Sequence, residues 1–200
     1  MKSFNNIKFN RFNSVWTKFI FEHKQDDEVK SLCEDLHSYD ANIIDYTKRI
    51  PRIATELKTD EDRMNIYRLQ DPNDTEKFRC GFCWDISLLA IKKLEELGYS
   101  TYAIYMEQND GSEFPNNHVF VVYEDETGLI IFEPNLGSKH GIYGPFKSDV
   151  DVCNAVYEYF PKFDDDLEWT FYRLDTYPKV KSTVSEFINQ ARQGTKILQL

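Results

Sequence analysis

Apolar residues between Cys83 and Leu97 fall on one side of a helix. Ile86, Leu89, Ala90, Leu94 and Leu97 recur at three- and four-residue steps, and Lys92, Lys93, Glu95 and Glu96 flank them. Gly98 follows as a suitable C-cap, so a helix is predicted over Cys83–Leu97. Beyond it the period falls to two. Thr101–Met106, His118–Tyr123 and Leu129–Glu133 are predicted strands, and the short loop Glu124–Thr127 with Gly128 predicts a hairpin between the last two. One register pairs Tyr123 with Gly128, which sets Val122 opposite Leu129, Phe120 opposite Ile131 and His118 opposite Glu133. Directly opposed residues have Cβ atoms ~4.5–5.5 Å apart, so an imidazole and a carboxylate are expected side by side. A slip of one residue would put them on opposite faces.

The rest of the chain continues the mixed pattern. Val29, Leu32, Cys33 and Leu36 predict a helix over Asp26–Leu36 with Cys33 in the core. Ala41–Lys48 reads as a second helical stretch bounded by Pro51, and Asp71-Pro72-Asn73-Asp74 as a turn or a new start. Gly137, Gly141 and Gly144-Pro145 mark a turn-rich stretch in which Ile142-Tyr143 is a short edge strand. A helix is predicted over Ser148–Phe160 with Cys153 in the core, a strand over Trp169–Leu174, and a last helix over Thr183–Ala191. Thr183 and Glu186 have capping-box spacing there, and a frayed tail is expected from Gln193. In the mixed stretch 1–24, Trp16, Phe19, Ile20 and Phe21 are expected to dock on a neighbouring element. The expected organisation is one α+β domain over 1–200: a mostly helical part in 1–60, a core in 67–145, and helices with a strand in 146–200.

Composition narrows the function. Hydrophobic residues make up 41% of 200, with fifteen Phe and twelve Tyr, enough to fill a large interior. The formal net charge of -10 is spread along the chain and argues against a nucleic-acid backbone binder. No run approaches the ~20 apolar residues of a membrane span, and residues 1–8 show no apolar leader. The cysteines are 33, 80, 83 and 153, with one C-x-x-C pair and no second pair to complete a four-thiolate zinc site. No metal or cofactor is expected, and the simplest compartment is a reducing cytoplasm.

The candidate chemistry lies in Cys80-Gly81-Phe82-Cys83-Trp84-Asp85, which opens the central predicted helix. A thiol at a helix start gains from unpaired backbone N–H groups and the helix dipole. His118 is the candidate proton carrier, and Glu133 the candidate group that fixes its tautomer. Each has a plainer reading alone: a buried filler thiol, a boundary histidine, a solvated acid. Their joint placement points to a cysteine nucleophile. Trp84 is a core residue or the floor of the cleft, and Gln70 a candidate amide donor to an oxyanion. His23, His37 and His140 read as surface residues, Asn135 as a turn residue, and Cys80 as a possible disulfide partner for Cys83.

Arg79-Cys80-Gly81-Phe82-Cys83-Trp84-Asp85 through Gly98-Tyr99, then His118-Val119-Phe120-Val121 and Phe132-Glu133-Pro134, resemble the transglutaminase-like core. Closer still is the similarity to small transglutaminase-like proteins of Gram-positive bacteria and their mobile elements. The resemblance covers residues ~67–145. It implies a cysteine-proteinase/transglutaminase-like fold, with the nucleophile at a helix N-terminus packed on an antiparallel sheet. It also implies Cys83 as nucleophile, His118 as base and Glu133 as orienting acid, where the larger family carries aspartate. The implied reaction is acyl transfer from a peptide or protein amide through a thioester, without a cofactor. Cys80–Trp84 also resembles the papain-like C-G-[SA]-C-[WY] signature, although Phe82 departs from it. His118 also follows Cys83 far sooner than the ~130 residues of that family. Arg79, Gly81, Cys83 and Asp85 are similar to the arylamine N-acetyltransferase motif. The alternative from another class is a non-catalytic protein-binding module on the same fold.

Overall fold

The central helix starts where the sequence changes from turn to apolar stripe. In the computed structural model, which describes residues 27–54, 65–111, 115–159 and 167–200, five α-helices are found: α1 Asp27–His37, α2 Pro72–Phe78, α3 Cys83–Glu96, α4 Asp149–Tyr159 and α5 Val184–Ala191. Phe82 caps α3 in an extended conformation and has no side-chain acceptor to offer. The cap is therefore one-sided, with Asp85 reaching back to the Phe82 N–H. At the other end Gly98 adopts φ +92°, a conformation open to glycine without a Cβ penalty. The predicted Trp16–Phe21 docking and His23 lie outside the described residues.

Eight strands are described: β1 Ile44–Asp45, β2 Arg52–Ile53, β3 Ser100–Gln108, β4 Asn117–Asp125, β5 Gly128–Glu133, β6 Gly141–Phe146, β7 Trp169–Arg173 and β8 Thr195–Gln199. The last six form an antiparallel sheet in the order β6-β5-β4-β3-β7-β8. Period-two alternation divides its two faces. Val121, Tyr123, Ile130 and Phe132 pack with Val29, Cys33 and Leu36 of α1 and Ile86, Leu89 and Leu94 of α3. Ile104, Met106, Phe120, Val122 and Ile131 meet Val152, Cys153 and Val156 of α4. A third cluster joins Trp84, Tyr105 and Val119 to Val184, Phe187 and Ile188 of α5. The fold is thus α+β with helices on an antiparallel sheet, and Cys33 and Cys153 are core residues as expected. No helix among the described residues is long and apolar enough to cross a membrane.

Three local expectations are corrected. The stretch 41–48 is not helical: Ile44–Asp45 pairs with Arg52–Ile53, and the Asp45 carboxylate accepts the Thr47 N–H at 2.8 Å. A local Asx turn outcompetes the helix there. The tail after Gln193 is strand β8, locked by reciprocal backbone bonds between Trp169 and Leu200 at 2.7 and 2.9 Å. Ile197, Leu198 and Leu200 pack on the α4-side core. The third correction is the hairpin register, which is shifted by two. Asp125 pairs with Gly128, Val122 with Ile131 and Val121 with Phe132. The Asp125 carboxylate accepts the N–H groups of Thr127 and Gly128, so the turn closes over only two residues. A shift of two preserves the face of every side chain. The Asp71-Pro72 step proves to be a helix start: Asp71 caps α2 by accepting the Asn73 N–H at 2.9 Å.

α5 is tied to the centre of the sheet by charge. Arg192 Nε and Nη2 lie 3.0 and 2.9 Å from Glu107 Oε2, and the Tyr105 hydroxyl donates to the same carboxylate at 2.7 Å. Glu107 is buried. Arg192→Met is expected to destabilise the fold by about 2–4 kcal/mol, because it strands a buried carboxylate with one neutral donor. Urea denaturation checks this, and a loss near zero contradicts it.

Candidate active site

Four thiols are present and none is in a disulfide. Cys33, Cys80 and Cys153 are buried, and burial pushes them up to about 12, about 11 and about 12. Such thiols are inert at neutral pH. Cys83 alone is half-exposed. It is the first residue of α3, where backbone N–H groups have no intrahelical acceptor.

His118 stands at the start of β4 and is buried. Its Nε2 lies 2.6 Å from Glu133 Oε2, and the Cys83 side chain is near enough to favour the charged ring. Burial disfavours the charged ring. The adjacent Glu133 carboxylate, the nearby Cys83 side chain and the hydrogen bond to Glu133 outweigh it, and His118 is pushed up to about 10. The second oxygen of Glu133 accepts the Asn135 N–H at 2.8 Å. The three residues singled out in the sequence are therefore in one continuous contact chain.

The shifted register accounts for the acid's identity. Continued beyond its last pair, Val121 with Phe132, the ladder sets His118 diagonal to Glu133, not opposite it. Diagonal neighbours lie ~7–8 Å apart, further than an opposed pair. Glutamate carries the extra methylene that spans this offset. Asn135 contributes its backbone N–H, a role a turn residue signals only weakly.

The other candidates take different places. Trp84 is buried in the core against Tyr105 and Phe187, with ring centroids 5.3 and 4.7 Å away, and its Nε1 donates to Asn117 Oδ1 at 3.3 Å. Gln70 is buried, its amide donating to the Asn42 carbonyl and accepting from the Thr75 hydroxyl, each at 3.2 Å. Both are structural contacts around the site. Cys80 is buried and forms a parallel β-bridge with Asp40.

Two features escaped the sequence reading. Asp85 is fully buried and receives three donors: Gln70 N–H at 2.8 Å on one oxygen, Phe82 N–H and the Tyr67 hydroxyl at 2.9 Å on the other. Burial pushes its carboxyl up to about 7 against these donors. His37 and His140, expected at the surface, stack face to face with centroids 3.5 Å apart. His37 Nδ1 bonds the Pro134 carbonyl at 2.9 Å, and His140 Nε2 lies 3.4 Å from Glu34. α1 thereby braces the segment that follows Glu133. A long-range stack of this kind has no periodic signature.

No protein-family model matches the chain, and no curated protein matches it.

Proposed function

We propose that the protein is a cysteine-nucleophile acyl-transfer enzyme with a transglutaminase-like core, acting on peptide or protein amides. The contact chain Cys83–His118–Glu133 carries this reading. Cys83 Sγ attacks the amide carbon, forming the S–C bond and an oxyanion that backbone N–H groups at the start of α3 stabilise. The C–N bond breaks as His118 passes its proton to the leaving amine. Water or an amine then attacks the thioester and gives its proton to His118 as the C–S bond breaks. Glu133 orients the imidazole and stabilises its charged form throughout.

An activated aryl ester tests the first half of the cycle. The expected result is one acyl adduct per chain, mapped by mass spectrometry to Cys83 and absent from Cys83→Ala. An adduct elsewhere, or none, rejects the reading in favour of a binding module. Turnover of an arylamine with acetyl-CoA, with no peptide activity, rejects it in favour of an acetyltransferase.

A further inference from the structure

Resting on the acyl-transfer reading, we propose that Asp85 is a positioning residue that sets the helix-start N–H groups of α3 for the substrate oxyanion. Asp85 sits two residues beyond the nucleophile, at the third position of the helix. Its carboxylate turns back to the cap and takes the Phe82 N–H at 2.9 Å. The backbone immediately before Cys83 is thus pinned to the helix it opens. Two further donors reach the same carboxylate from outside that turn, the Gln70 N–H at 2.8 Å and the Tyr67 hydroxyl at 2.9 Å. A fully buried carboxylate held by three donors from two segments is rigid.

The turn closes on Asp85 so tightly that a Cβ on Gly81 would lie 2.7 Å from the Asp85 Cβ. Glycine at 81 is therefore what lets the carboxylate occupy this position. Because Asp85 consumes the Phe82 N–H, the next donors, beginning with that of Cys83, define the oxyanion position. Oxyanion donors act only when aimed where the charge develops. Asparagine at 85 presents an N–H group to the Phe82 N–H or the Gln70 N–H, whichever way its amide is turned, so one backbone donor loses its acceptor.

Two electrophiles separate positioning from nucleophilicity. With p-nitrophenyl acetate, Sγ bonds to the acetyl carbon through a tetrahedral oxyanion, and p-nitrophenolate leaves with the C–O electron pair. With iodoacetamide, Sγ bonds to the methylene carbon and iodide leaves, with no oxyanion formed. Asp85→Asn is expected to lower the ester-to-iodoacetamide rate ratio about tenfold or more. Tyr67→Phe, which removes one donor and keeps the ring, is expected to lower it about threefold. Asp85 is pushed up to about 7, and a protonated acid among three donors loses acceptor capacity. The ratio in the intact protein is therefore expected to fall below pH 7, and in Asp85→Asn to stay flat. A Tyr67→Phe ratio equal to that of the intact protein, with the ratio flat across pH 5–8, overturns the role of Asp85 even where Asp85→Asn fails to fold. An ester rate in the intact protein no greater than in Cys83→Ala overturns the acyl-transfer reading itself.

Discussion

Cys83→Ala is expected to lower acylation by an aryl ester at least about a thousandfold, to the background of the remaining thiols. The other three cysteines are buried and their thiols are raised, so none substitutes for it. Cys83 is half-exposed at the start of a helix, at the edge of the cluster around Trp84 and Tyr105, so its loss should leave the fold intact. Cys153→Ala supplies the contrast. That thiol is enclosed in the α4-side core, and its replacement should cost stability of about 1–2 kcal/mol while acylation persists. Parallel acylation and denaturation measurements on the two variants check the pair. Acylation that survives Cys83→Ala contradicts the assignment.

The second large effect concerns Glu133. Glu133→Gln keeps a hydrogen-bonding partner for His118 but removes the negative charge, so acylation is expected to fall about a hundredfold or more. Stability should change its pH dependence as well. His118 is raised from 6.5 to about 10 in the fold. Its contribution is therefore fully present below pH 6.5 and is lost as pH rises toward 10. Asp85, raised from 3.8 to about 7, contributes fully below pH 3.8 and loses that contribution as pH rises to about 7, and the buried thiols lose theirs only above their ordinary value of 9.0. The interval from about pH 7 to 9 thus belongs mainly to the His118–Glu133 pair. The urea midpoint of the intact protein should fall across it, and that of Glu133→Gln should stay nearly level. An equal slope in both proteins contradicts the coupling.

Much of this arrangement was legible because it rests on local periodicity. The stripe Ile86–Leu89–Ala90–Leu94 located α3, and the alternation along His118–Tyr123 and Leu129–Glu133 located β4 and β5. That was enough to bring Cys83, His118 and Glu133 together. The register was misjudged because turn closure by the Asp125 carboxylate is a side-chain effect that hydrophobic alternation does not reveal. The error left the side-chain contact of His118 with Glu133 intact because a two-residue shift keeps the face. β8 was missed because its pairing partner, β7, lies across the whole of α5, and a five-residue strand has too short a pattern to declare itself. The bonds of Asp85 to Tyr67 and Gln70 were not legible, since only the fold brings those segments beside the helix start.

Turnover of peptide amides decides whether Cys83 is the nucleophile of an acyl-transfer site. The intact protein and Cys83→Ala are incubated with a glutamine-containing peptide library, with and without a primary amine, and the products are read by mass spectrometry. Cleavage, deamidation or amine incorporation is expected with the intact protein and none with Cys83→Ala. The absence of all three products, or their equal appearance with Cys83→Ala, would contradict that role.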